Sequence, residues 1–152
     1  MTDTPPPRTG LAEKDVLVGF LDYLRTSAAA KVEGVAEPLA RTPGVASGTN
    51  LLGMIKHLAH VERFTFLGEN VADWQATFHA TDDETVDGLV QGYRDAVADA
   101  NAVIAACDDL ESPAGRPGAS MRWALVHMIE ETGRHAGHLD ILRELADGST
   151  GR

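Results

Sequence analysis

Apolar residues recur every three or four positions over four long segments of this 152-residue chain, and this spacing restricts the fold more than any other feature. Such a period places apolar side chains along one face of an α-helix. No segment alternates apolar and polar residues over a strand length, and no Asn-Gly hairpin signal is present. Because the connections between the segments are short, the sequence predicts an all-α protein built as an antiparallel four-helix bundle.

The predicted helices lie within one domain over residues 11–148. Residues 1–10 hold three consecutive prolines and are expected to form a disordered tail. The predicted helices are Leu11 to about Glu37, Leu51 to Gly68, a third that opens at Thr81 and reaches the neighbourhood of Leu110, and Ser120 to Gly148.

Residues with known roles at helix ends support these boundaries. Ser120 is a good N-cap, and Gly148 suits the left-handed position after a helix. The run Thr81-Asp82-Asp83-Glu84 has the form of a capping box, in which threonine and glutamate satisfy each other's backbone N–H groups. In the loop over 38–50, Ser47, Thr49 or Asn50 can cap the second helix. Residues 69–80 have no clear period and are expected to fold back on the bundle.

Charge and composition exclude several classes of function. The net charge is −10, and no basic stripe is present, so binding to DNA or RNA is not expected. No apolar run is long enough for a membrane span, and no signal peptide is recognisable at the N-terminus, so we expect a cytoplasmic protein. The single cysteine, Cys107, excludes an internal disulfide and a CxxC site.

The fourth helix carries ionisable residues in the middle of an apolar face. One strip, with spacings of three and four, contains Ala124, His127, Glu131, His135, His138, Leu142 and Leu145. Burial of such polar groups costs roughly several kcal/mol in lost hydration unless they are paired or bind a cation. Imidazole nitrogens and carboxylate oxygens both ligate divalent metals, so this strip predicts a metal site.

Glu131 and His135 are four residues apart and can converge on one ion, whereas a third ligand must come from a facing helix. The second helix offers His57 and His60. A histidine on an apolar face can also be an ordinary core residue, and Glu130 and Glu131 can belong to a solvated acidic face. His79 is interpreted as a loop residue, and Trp74 and Trp123 as packing residues.

Three stretches carry a resemblance to a known family: FLDYLR, LLGMIKHLAHVERF and SMRWALVHMIEETGRHAGHLDILRELADG. Together they resemble the DinB-like superfamily, and within it the actinobacterial mini-circle protein group, over roughly residues 13–148. The resemblance implies a four-helix bundle with up-down-down-up connectivity, often a homodimer. It also implies a divalent metal, commonly zinc or nickel. Relatives such as mycothiol-dependent maleylpyruvate isomerase use this site for transfer or isomerisation with a low-molecular-weight thiol.

Carried onto this sequence, the resemblance implies His57 as the ligand on the second helix and Glu131 with His135 as the pair on the last helix. The pair has the ExxxH form, because Arg134 stands four residues before His138 and excludes an HxxxH pair there. His138 and His60 then remain as extra ligands, as residues that support the ligands, or as catalytic proton carriers.

Three functions are consistent with these patterns. The first is a metal-dependent thiol transferase or isomerase with mycothiol as cosubstrate, in which His60 or His138 moves a proton. The second is a non-catalytic metal-binding protein of the stress response or of protein interactions. The third is a helical dimerisation module whose histidines are only packed.

Overall fold

A computed structural model describes residues 4–151, and every regular element among them is helical. The single β-like feature in this range is an isolated bridge between Pro113 and Ser120. The predicted all-α class is therefore confirmed. The α-helices are α1 (Glu13–Val32), α2 (Glu37–Arg41), α3 (Leu51–Glu62), α4 (Val86–Ala106) and α5 (Met121–Asp147). A π-helical turn (Arg63–Leu67) follows α3, and a 3₁₀ turn (Ala76–Phe78) precedes α4.

The ends of α5 agree with the sequence prediction. The Ser120 hydroxyl accepts a hydrogen bond from the Trp123 backbone N–H at 3.2 Å, and Gly148 closes the helix in the left-handed conformation at φ 76°. Of the three candidate caps for α3, Asn50 takes the role, because its Oδ1 accepts from the Gly53 N–H at 2.8 Å.

The first predicted helix is wrong in its extent. It was expected to continue to about Glu37, but α1 ends at Val32 and a separate short helix, α2, begins at Glu37. Gly34, at φ 72°, breaks the helix between them, since an L-residue with a side chain rarely adopts this conformation. Pro38 lies in the first turn of α2, where its missing N–H is tolerated.

The predicted start of the third helix is also corrected. The Glu84 carboxylate accepts a hydrogen bond from the Thr81 N–H at 2.7 Å, so half of the predicted capping box forms. The helix itself begins at Val86, where the Thr85 hydroxyl accepts from the Gly88 N–H at 3.1 Å. The box therefore closes a tight turn just ahead of α4.

The second predicted helix changes character before its end. It is α-helical to Glu62 and then widens into the π-turn, which ends at Gly68 with φ 70°. A π-turn inserts one extra residue per turn, and such turns occur often at functional sites. Here it redirects Phe64 and Thr65 relative to an uninterrupted α3.

The core lies around α3, which packs along α4 and also contacts α1 and α5, while α1 packs along α5. Residues contributed by α3 to this core are almost inaccessible to solvent, among them Leu52, Ile55 and Leu58. Full burial of each such side chain stabilises the fold by about 1.5–3 kcal/mol. The rigid α3 is thus a fixed support for any polar side chain that it carries. No helix in residues 4–151 combines the length and apolarity needed to cross a bilayer.

Candidate metal centre

Three side chains from two helices converge at the middle of the bundle. His57 comes from α3, and Glu131 and His135 come from successive turns of α5. One potential ligand atom from each lies within 4.8 Å of the others. Glu131 Oε1 is 3.4 Å from His57 Nε2 and 3.0 Å from His135 Nε2. The structure thus brings together the three residues that the family resemblance implied as ligands.

The orientation of the His57 ring is set by Thr77. The Thr77 hydroxyl must donate its proton to the Trp74 carbonyl oxygen, 2.6 Å away, because a carbonyl can only accept. Its oxygen therefore accepts the hydrogen bond from His57 Nδ1–H, at 2.8 Å. In the neutral ring this places the proton on Nδ1 and leaves the Nε2 lone pair directed toward Glu131. A hydrogen bond at the far nitrogen is the usual support of a metal-binding histidine.

The 3₁₀ turn also covers one face of His57. Phe78 stacks on the imidazole with ring centroids 3.9 Å apart and planes 15° apart, and Trp74 meets it edge-on at 6.0 Å. These rings exclude water from one side of the ligand. Residues 69–80, expected only to fold back on the bundle, therefore supply groups that hold the site.

Glu131 remains ionised at this position. A hydrogen bond from His135 Nε2 is the main cause that holds the pKa of the Glu131 carboxyl far below its usual range despite partial burial. The carboxylate side chain is 19% exposed and both histidines are more deeply buried. A negative charge at this depth requires compensation by a cation or by protons on the neighbouring rings.

The donor set fits a divalent cation. With Nδ1–H engaged by Thr77, the His57 Nε2 lone pair faces a carboxylate oxygen, and two acceptors at 3.4 Å repel unless a positive charge lies between them. Two imidazole nitrogens and one carboxylate oxygen are the protein ligands of many catalytic zinc sites, which keep a fourth position open. His57, Glu131 and His135 are the residues that would hold the ion.

His138 lies beside the triad without belonging to it. Its Nδ1 is 3.4 Å from Nδ1 of His135, and its ring is exposed to solvent. Partial burial is the main cause that lowers the pKa of His138, and the nearby charge of Arg134 adds to it. An exposed imidazole next to a ligand is suited to proton exchange with solvent.

His60 lies one turn beyond His57 on α3 and is half-buried. Burial, followed by the positive charge of Lys56, lowers the pKa of His60. It is not one of the three residues whose ligand atoms converge. The catalytic roles expected for His60 and His138 stay predictions.

The remaining residues of interest lie around the triad. Glu130 is exposed, as expected for a solvated face. The backbone oxygen of His79 accepts a hydrogen bond from Lys56 Nζ at 3.0 Å, in the segment after the 3₁₀ turn. Trp74 packs edge-on against Phe64, and Trp123 stacks on His127 at 4.7 Å, yet the two indoles are 37% and 46% exposed.

Sequence reasoning missed Thr77 and Phe78 as parts of the site. The segment that carries them has no helical period, so nothing indicated which of its side chains turn inward. The signal lay in its composition, because an aromatic pair and a threonine in a short polar loop are suited to covering a buried histidine.

The fold and the site together define an all-helical protein. Its candidate divalent-metal site is formed by two histidines and a glutamate from α3 and α5. The sequence profile of the mycothiol S-transferase family matches residues 16–148, and the chain belongs to that family. The expected relation to the DinB-like superfamily is confirmed by this match. A search of curated proteins found no match.

Proposed function

We propose that this protein is a divalent-metal-dependent S-transferase that joins a low-molecular-weight thiol of the mycothiol kind to an electrophilic acceptor. The family membership supports a role in thiol transfer. The observation that carries the metal dependence is the His57 ring, whose Nδ1–H is held by Thr77 so that Nε2 faces Glu131.

A bound ion would supply Lewis-acid chemistry, because it lowers the pKa of a thiol at its open position and favours the nucleophilic thiolate. The chain's own residues define where this can occur. His57 and His135 bring neutral nitrogen donors from two helices, and Glu131 brings one negative charge that reduces the net charge of the site. The packing of α3 in the core fixes the position of His57.

The reaction also requires a group that accepts the thiol proton. The sulfur forms a bond to an electrophilic carbon, and the electron pair of the bond that it replaces leaves with the leaving group or moves to the adjacent carbon. The thiol proton must then reach the leaving group, the adjacent carbon or solvent. His138 is the imidazole best placed for this transfer, since it contacts His135 and is open to water.

The test compares turnover in metal-loaded and metal-free protein. Protein loaded with zinc or nickel is incubated with mycothiol and monochlorobimane, and the fluorescent thioether is quantified. We expect metal-dependent conjugation that His57→Ala abolishes. A protein that binds one ion per chain and forms no conjugate with any thiol tested would instead favour the non-catalytic metal-binding function.

A further inference from the structure

The Arg116 guanidinium lies over two aromatic rings, those of Phe64 and Trp123. Its guanidinium carbon lies 5.4 Å from the ring centre of Phe64 and 4.8 Å from that of Trp123. Its Nη1 donates toward Nε2 of His127 at 3.3 Å, and this is the side chain's one hydrogen bond to a residue within 4–151. Most of its donors therefore have no partner in the described part of the chain.

The backbone around Arg116 is fixed against the π-turn. The Arg116 N–H donates to the Thr65 carbonyl oxygen at 2.9 Å. A Cβ atom at Gly115 would lie 2.5 Å from the backbone of Phe66 and Gly68, so only glycine permits this close approach. The loop before α5 is thus docked where it presents Arg116 to the rings, and the side chain is preorganised.

Arg116 is the only half-buried arginine of residues 4–151 that has no carboxylate partner, since the other unpaired arginines in this range are exposed. The chain has 23 acidic residues against 13 lysines and arginines. Several other arginines pair with carboxylates, including Arg25 with Glu62 at 2.6 Å and Arg63 with Asp99 at 3.3 Å. Within residues 4–151, no carboxylate forms an ion pair with Arg116. A half-buried guanidinium without a carboxylate, in an acidic protein, is available to an anion from outside.

Contacts connect Arg116 to the metal ligands on two sides. On α5, His127 precedes Glu131 by four residues, about 6 Å along the helix axis and on the same face. On the other side, Phe64 meets Trp74 at 5.3 Å, and Trp74 meets His57 at 6.0 Å. Trp74 beside His57 and Trp123 beside Arg116 are both partly exposed, so solvent reaches the rings at each of these two positions.

We propose that Arg116 binds a carboxylate of the acceptor substrate and thereby positions its electrophilic carbon beside the metal centre; this rests on the proposed function. A planar guanidinium that lies over aromatic rings still presents N–H groups at its edge, in the geometry that a carboxylate accepts through two parallel hydrogen bonds. The flanking rings limit hydration of the ion pair. The acceptor class is a small unsaturated or activated carboxylic acid.

Binding is tested separately from turnover. Succinate and its neutral counterpart succinamide are titrated into the metal-loaded protein by calorimetry, with tryptophan fluorescence as a local readout because Trp123 contacts the guanidinium. We expect succinate to bind, succinamide not to bind, and Arg116→Gln to weaken succinate binding by about tenfold or more. Arg94→Gln removes the same charge from an exposed ion pair on α4 and should leave succinate binding unchanged.

Two results of this titration overturn the proposal: equal succinate affinity in wild type and Arg116→Gln, or tighter binding of inorganic phosphate than of any carboxylate. Arg116→Lys keeps the charge but lacks the planar guanidinium, so we expect its succinate affinity to lie between those of wild type and Arg116→Gln. This variant also keeps the test decisive should Arg116→Gln fold poorly.

Turnover is tested with monoethyl fumarate, which carries a carboxylate, and diethyl fumarate, which does not. In each, the thiol sulfur bonds to one alkene carbon, the π electron pair moves to the other, and that carbon takes the thiol proton. We expect Arg116→Gln to raise KM for the monoester about tenfold more than for the diester. An equal rise in KM for both acceptors contradicts the Arg116 subsite and leaves the transferase function intact. Carboxylate binding that depends on Arg116, without turnover of either acceptor, contradicts the transferase function instead.

Discussion

The Cα of Gly53 lies against the backbone carbonyl of Phe78 so closely that a methyl group on Gly53 would overlap it. This contact lets the 3₁₀ turn close on α3 and brings Thr77 and Phe78 to His57, one helical turn from Gly53. Gly53, which has no side chain, thus determines the geometry of the candidate metal centre.

Gly53→Ala should damage both stability and metal binding. The added methyl group forces the 3₁₀ turn outward, which lowers the free energy of unfolding by about 1–3 kcal/mol. Because Thr77 moves with the turn, metal affinity should fall as well. Chemical denaturation and metal titration measure the two effects. Gly92→Ala is the control, since a Cβ at Gly92 of α4 meets nothing within 4 Å and should stabilise by about 0.5–1 kcal/mol. Equal behaviour of the two variants would show that the close contact does not matter.

Thr77→Val should weaken metal binding while the fold is retained. The substitution conserves the shape of the side chain but removes the oxygen that accepts from His57 Nδ1–H. Loss of such a support typically reduces metal affinity about 10–100-fold. Competition with a chromophoric chelator gives the dissociation constant. Thr77→Ser retains the hydroxyl and should restore most of the affinity; an equal loss in both variants would point to packing rather than to the hydrogen bond.

The sequence predicted those parts of the structure that depend on local chemistry. Ser120 and Gly148 marked the ends of α5 because capping is decided within one turn. The pairing of Glu131 with His135 followed from their spacing on one helix. The partner on α3 depended on the packing of α3 against α5; residue patterns left His57 and His60 open, and the family resemblance implied His57.

The features that sequence reasoning missed are set by tertiary contacts. The break after Val32 requires Gly34 in the left-handed conformation. Because glycine is also tolerated within helices, its presence did not decide between a continuous helix and a helix that ends here. The capping box at Thr81 has a competitor, Thr85, which caps α4 four residues later. Thr77 acquires its role only because the Gly53 contact closes the turn over His57.

His138→Gln should reduce turnover without removing the ion. Its ring contacts His135 and is exposed, which suits it to carry the thiol proton rather than to bind the metal. Proton-transfer groups contribute on the order of 10²–10⁴-fold to rate, so kcat should fall by at least about 100-fold. Metal content measured by mass spectrometry should stay at the wild-type value. His60→Gln is the parallel variant, and a larger kcat loss there would assign the proton transfer to His60 instead.

Glu62→Gln should destabilise the bundle strongly. Arg25 and Glu62 form two hydrogen bonds at 2.7 and 2.6 Å, and their side chains are almost completely buried. Removal of the carboxylate charge leaves a buried guanidinium partly compensated by Asp22, at a cost of about 3–5 kcal/mol. Urea denaturation measures the change. Glu69→Gln removes a carboxylate from the exposed pair with Arg63 and should cost less than about 1 kcal/mol. Similar costs for the two variants would argue against burial as the cause.

The metal content of untagged protein is the most direct test of the candidate centre. Native mass spectrometry should find one divalent ion per chain in wild type and in Glu130→Gln, because Glu130 lies on the exposed face. Glu131→Gln, which makes the same replacement of a carboxylate oxygen by an amide nitrogen in the adjacent residue, should lose the ion. A metal site at His57, Glu131 and His135 is contradicted if wild type binds no ion after incubation with zinc or nickel, or if Glu131→Gln retains the ion as well as Glu130→Gln does.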